Sequence, residues 1–317
     1  MKVGLSGARL RLRRRFLRVT IILTGIVGLL AIYPLTGCAS LGGAPDTRTT
    51  LAVTPIATAT ATGIAMATAK GQASPWKLVW SDEFNGPRGA LPDPNKWSPQ
   101  TGGGGWTQPP ILDYDTENRN VYQDGQGHLV LEARKGDGGS YQCWYGPCQY
   151  TSARITTSGH FSFTYGLLEA RIKIPYSQGV WSGFWLSGDN CATVGWPACG
   201  EIDVMENISS EPAVIHGTVH GPGYFTGSYT LQHGAFADAF HVFALQWDPD
   251  HLYFLMDGIH YATLSRTTLT NQADWVFNHP FNILLNVPVG GWAGNPDSTT
   301  VFPQKMYVSY VRVYKLA

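Results

Sequence analysis

Three carboxylates fall within six residues of this chain, in Gly200-Glu201-Ile202-Asp203-Val204-Met205-Glu206-Asn207. Only 14% of the 317 residues are charged, so such a cluster asks for a reason. The acids alternate with apolar side chains, the pattern of a β-strand with one polar and one buried face. By parity Glu201 and Asp203 share a face, and Glu206 points the opposite way. One extra residue at Val204-Met205, a β-bulge, returns Glu206 to that face. Three acids then look into one groove from one rigid strand. Ionising a second carboxyl works against the charge of the first, which raises at least one pKa. That suits glycoside hydrolysis with retention, in which one carboxylate attacks the sugar carbon and a second, kept protonated, feeds the leaving oxygen. The bland alternative is a solvated strand edge with scattered acids.

The rest of the chain reads as the scaffold for such a groove. The segment Trp76-Lys77-Leu78-Val79-Trp80 alternates as a strand, and short alternating stretches recur at 128–132, 167–174, 215–219, 242–247, 252–256 and 307–314. Gly, Asn, Asp and Pro clusters separate them, including 102–105 and Asp257-Gly258. Many short strands with turn signals between them predict a single all-β sandwich or barrel, and such a unit can exceed 200 residues.

The N-terminus has another character. The first 20 residues carry seven of the 22 Lys and Arg and no acid, leaving 15 basic against 22 acidic residues beyond them. No basic face remains for a nucleic acid, whereas a neutral polymer is compatible. Residues 1–18 are basic, 19–35 are mostly apolar, and Leu35-Thr36-Gly37-Cys38 follows. This describes an export signal. The last four residues resemble a bacterial lipobox, which makes Cys38 the lipidated first residue of the mature protein. Arg13-Arg14-Arg15-Phe16-Leu17-Arg18 is similar to a twin-arginine pattern, with Leu12 where a Ser or Thr is usual. Residues 39–75, rich in Ala, Thr, Gly and Pro, bury too little apolar area to fold and read as a linker. The expectation is an exported protein, extracellular or held at a bacterial surface as a lipoprotein, with no other membrane attachment.

Residues 76–317 resemble glycoside hydrolase family 16, and within it the bacterial laminarinase-like endo-β-1,3-glucanases. Glu201-Ile202-Asp203-Val204-Met205-Glu206 is similar to the family's bulged active-site strand. Trp80-Ser81-Asp82-Glu83-Phe84, Tyr150-Thr151-Ser152-Ala153-Arg154, Gly183-Phe184-Trp185, Trp196-Pro197-Ala198-Cys199-Gly200, His216-Gly217-Thr218-Val219-His220 and Asn286-Val287-Pro288-Val289-Gly290-Gly291 occur in family order. The resemblance implies a concanavalin-like jelly-roll sandwich whose concave sheet forms the substrate cleft. It also implies Glu201 as nucleophile, Glu206 as general acid/base, and Asp203 as the residue that orients the nucleophile. Trp185, Trp196, Trp181 and Trp106 are candidates for stacking on sugar rings, Arg154 and Asn286 for sugar contact, and His220 for tuning Glu206 or contacting a hydroxyl.

Two departures from the family pattern bear on function. After Trp106 the family usually continues with an Asn-Glu segment lining the non-reducing side of the cleft. Here the sequence is Thr107-Gln108-Pro109-Pro110-Ile111-Leu112-Asp113-Tyr114. The family also often binds calcium through a residue like Glu83 and an Asp of the last strand, but Ser309 stands in the Asp position. Losing one hard oxygen anion weakens that site, so a structural calcium at Glu83 is doubtful, and the chemistry of the three carboxyls is expected to require no cofactor. In an exported protein Cys143–Cys148 and Cys191–Cys199 are expected as disulfides rather than zinc ligands. The expected reading is a monomeric, retaining endo-hydrolase of β-1,3-glucans. A transglycosylase, a hydrolase of another β-glucan or galactan, and a non-catalytic carbohydrate-binding sandwich are the alternatives.

Overall fold

The computed structural model describes residues 75–136 and 139–317. Cys38, the export segment and all of the 39–75 linker except its last residue lie outside the described residues.

Two sheets, antiparallel except where Asp113–Asp115 runs parallel to Tyr150–Ser152, face each other across one core. The first has seven strands, in the order Tyr224–Thr230, Val214–His220, Glu201–Ile208, Trp181–Gly188, Phe281–Asn286, Arg154–Thr156 and Ser98–Pro99. The second has ten, and its centre is Gly166–Lys173 between His241–Trp247 and the 13-residue Gln304–Leu316. Trp76–Asp82 pairs with that last strand, so the two ends of the domain are laced together. Consecutive strands form a meander at one side of each sheet, and beyond them long connections bring distant strands together, Phe281–Asn286 beside Trp181–Gly188 and Gln304–Leu316 beside Gly166–Lys173, as in a jelly-roll. The all-β sandwich expected from the sequence is the fold.

Alternation puts each strand's apolar set between the sheets. Phe184, Leu186, Ile202, Ile283 and Leu285 from the first sheet meet Leu168, Ala170, Phe243, Leu245 and Val311 from the second, all fully buried. Each such aliphatic or Phe side chain contributes roughly 1.5–3 kcal/mol of burial. The residues in between face away from the core: Trp181, Gly183, Trp185 and Ser187 on one strand, Thr218 and His220 on another. They floor a groove of about 800 Å³.

Both cysteine pairs are bonded, Cys143 to Cys148 and Cys191 to Cys199. The second closes the loop that leads directly into Glu201.

Candidate active site

The acid strand, Glu201–Ile208, carries the bulge expected from its sequence. Against its neighbour, Asp203 lies opposite Trp185 and Met205 opposite Phe184, so one residue is left over between them. On the other side Asp203 pairs with Thr218 and Glu206 with His216, again with one residue in excess. Ile202, Val204 and Met205 are buried in the core. Glu201, Asp203 and Glu206 all line the groove. Gly200 directly precedes the strand at φ +77°, where a Cβ would meet the Phe281 ring. Gly183, opposite Glu206, keeps the groove floor open, because a Cβ there would collide with the Asn286 amide.

The three acids differ in their partners. Glu201 accepts a hydrogen bond from the Trp196 indole at 3.1 Å, and His220 Nε2 lies 3.8 Å from its other oxygen. Burial raises its pKa, while His220, Arg154 and the Trp196 N–H act the opposite way and favour its charged form. Asp203 is 4% exposed, and its Oδ2 has no hydrogen-bond partner although His220 Nε2 is 3.4 Å away. Burial and then the charge of Glu201 push its pKa well up. Glu206 is pushed well up by burial, then by Asp203 and Glu201, with smaller opposing effects from His220 and Thr218. So Glu206 holds its proton, and Glu201 is the member best supported as an anion.

Every sugar-contact candidate from the sequence lies on this groove: Trp106, Arg154, Trp181, Trp185, Trp196, His220 and Asn286. The Trp185 indole donates to Asn286 Oδ1 at 3.1 Å. The Arg154 guanidinium sits 4.8 Å from the Trp106 ring and 4.7 Å from Trp185, with its Nε donating to Gln100 at 2.6 Å. Trp106 and Trp196 are 46% and 62% exposed, which a core role does not explain. Gln108 of the altered 107–114 loop lines the groove as well, together with Trp292, Tyr224 and Thr218, which the sequence did not single out. Thr218 was open to strand parity, two residues before His220. Trp292 was open to its place directly after Gly290-Gly291.

Glu201, Asp203 and His220 each turn one ligand atom toward the others, all within 4.8 Å. An ion ligated at about 2.1 Å would have to draw such a set together. Glu83 does not fit calcium. Both its oxygens accept from Arg312, at 2.9 and 2.8 Å, and burial of Glu83 is slight enough that this pair holds its pKa down. The Ser309 hydroxyl is taken by Arg171 at 3.0 Å. An arginine therefore stands where the calcium expectation needed open oxygens.

Residues 112–312 match the family model for glycosyl hydrolases family 16. The chain is 37% identical over 254 residues to the beta-glucanase of Rhodothermus marinus, a match covering 76% of this chain and 85% of that protein. The catalytic domain of an endo-1,3-beta-glucanase (laminarinase) from Thermotoga petrophila is 42% identical with a TM-score of 0.70, over 76% of this chain and 98% of that one. The endo-beta-1,3-glucanase of Pyrococcus furiosus is 43% identical with a TM-score of 0.70, over 76% and 95% of the two chains.

Proposed function

The chain belongs to glycosyl hydrolase family 16, and we propose that it cuts internal β-1,3 bonds of laminarin-like glucans by a double displacement with retention. The observation that carries this reading is the bulged strand, which turns Glu201, Asp203 and Glu206 into one indole-lined groove. A Glu201 oxygen attacks the anomeric carbon as the glycosidic C–O bond breaks, and Glu206 gives its proton to the leaving oxygen. Water then attacks the glycosyl-enzyme, Glu206 takes back a proton, and Glu201 leaves. Asp203, whose burial favours its protonated form, orients Glu201 and limits the charge the groove must hold. The reaction asks only for these carboxyls and needs no metal.

The groove's shape supports internal cleavage, because aromatic side chains flank the acids on both sides. Trp196 and Tyr224 lie toward one end of the acid strand, and Trp181 and Trp292 toward the other. Flat indoles match the apolar faces of pyranose rings, and a neutral polymer is compatible with the charge balance of the chain beyond its first 20 residues. Export follows from the N-terminal signal and agrees with two disulfides. Among the described residues no helix is long and apolar enough to cross a membrane, and lipidation at Cys38 supplies the anchor in this reading.

The test is reducing-sugar release by the purified protein from laminarin, mixed-linkage β-glucan and agarose, beside Glu201→Gln. Laminarin is expected to yield short oligosaccharides, and the variant to fold normally with nearly all turnover gone. Activity confined to agarose would sink the β-1,3 assignment. A Glu201→Gln enzyme as fast as the parent would sink the assignment of the nucleophile.

A further inference from the structure

The hairpin closed by Cys143 and Cys148 has no part in the reaction, yet it grips a segment that does face the groove. That segment runs from Gly103 to Leu112, and its Gly104, Trp106, Thr107, Gln108 and Ile111 line the groove. It leaves Gly102, whose N–H and C=O pair with Asp115, and returns to the sheet in the strand Asp113–Asp115. Bonds within the segment close only its tip, from the Ile111 N–H to Gly105 O at 2.9 Å and from the Thr107 hydroxyl to Pro109 O at 2.7 Å. Pro109 and Pro110 have no N–H to give.

The remaining ties come from the hairpin. The Trp144 N–H donates to Gly103 O at 2.8 Å and its indole N–H to Ile111 O at 2.8 Å, while the Tyr145 hydroxyl donates to Leu112 O. Two adjacent residues therefore hold the segment at both of its ends. The approach is close, since a Cβ on Gly103 would lie 2.9 Å from Cys143 Cα. Trp144 is 53% exposed, so a place in the core does not explain it. The hairpin pairs only Gln142–Cys143 with Gly146–Pro147, too little to stand alone. The disulfide closes it, and Tyr141 just before it stacks on Tyr114 at 4.3 Å.

The position of the segment says which part of a substrate it meets. The groove crosses the strands, with His220, Glu201, Trp185, Asn286 and Arg154 lining it from five successive strands of the first sheet. Trp106 lies against Arg154, 4.8 Å from its guanidinium. The Arg154 strand is three strand spacings from the acid strand, about 14 Å or roughly three sugar rings.

We propose that Trp144 and Tyr145 are positioning residues, which pin the 103–112 segment as the far wall of the groove and so set its affinity for the part of a β-glucan chain remote from the cut. This rests on the β-glucan reading above and deepens it. The wall holds the chain and leaves bond breaking to the acid strand.

The test is steady-state kinetics of the full chain on laminarihexaose and on laminaritriose, which is too short to reach from the cut to the wall. Tyr145→Phe removes one hydroxyl and keeps the ring. Trp144→Ala removes the indole and keeps the backbone bond to Gly103. Each should raise KM for laminarihexaose by roughly fivefold or more, the worth of one lost hydrogen bond, with kcat within about twofold. On laminaritriose kcat/KM should stay within about twofold of the parent. The double variant should bind little worse than Trp144→Ala, because both residues act through one segment. Parent values for both variants on laminarihexaose would overturn the proposal, as would equal losses on the two substrates or a fall in kcat with KM unmoved. A parent inactive on laminarihexaose and laminarin would sink the β-1,3 reading, and this proposal with it.

Discussion

At the scale of the residue, one imidazole decides how two carboxyls divide the work. His220 stands 3.8 Å from Glu201 and 3.4 Å from Asp203, and its charge lowers the pKa of both Glu201 and Glu206. The rate needs Glu201 ionised and Glu206 protonated, so kcat/KM against pH is a bell with Glu201 on the acid limb and Glu206 on the alkaline limb. Replacing His220 by Gln removes a cation that favours both anions, so both limbs should move to higher pH. A pH profile of laminarin hydrolysis checks this, and limbs that move to lower pH would contradict it. The three acids, His220, Trp181 and Trp185 were legible from the sequence because they sit on strands whose parity can be counted, whereas Trp106 and Trp196 sit in loops and rested on the family resemblance. The burial of Asp113 and Asp115 was not legible. Nothing in Asp113-Tyr114-Asp115 says that both acids are buried, and a surface strand would read the same.

The catalytic arrangement belongs to the scale of the element, since it depends on one supernumerary residue. In a regular strand Glu206 would enter the core on the face of Ile202 and Val204, and a charged carboxyl there costs several kcal/mol or titrates away. The bulge removes the conflict. Deleting Met205 leaves Glu-Ile-Asp-Val-Glu, which alternates strictly and still turns all three acids to the groove. Deleting both Val204 and Met205 reverses the last acid. The single deletion is expected to fold and keep measurable activity; the double deletion should lose activity and melt far earlier. Circular dichroism melts with a laminarin assay separate them, and equal losses in the two variants would show that parity is not what the bulge preserves. The bulge could be inferred beforehand because only it reconciles three acids with one polar face. The pairing that brings Arg154–Thr156 beside Phe281–Asn286 could not, since 126 or more residues separate contacts such as Thr156 with Asn282, and local pattern says nothing about partners so distant. The weakness of the calcium site was legible from Ser309, but the Arg312 that engages both Glu83 oxygens was not, because it comes from the opposite end of the domain.

On the scale of the whole molecule, the groove is built at the expense of stability. Asp113, Asp115, Glu201, Asp203 and Glu206 all have their pKa values raised, by burial first in each case. The folded state therefore binds more protons than the unfolded chain, and this contribution falls as pH rises, for Asp113 between 3.8 and about 7. Carboxyls with lowered values, such as Glu83 and Glu132, act in the opposite sense at lower pH. The melting temperature should peak in mildly acid solution and fall toward alkaline pH. Asp203→Asn should melt higher than the parent at neutral pH while losing activity, and a variant that melts lower would refute this balance. The most direct test of the central claim is the anomer first formed from laminarin, followed by proton NMR as the digestion starts. The β-anomer, at the ends of short oligosaccharides, is the expected result of attack by Glu201 and a second inversion by water. The α-anomer appearing first would contradict it.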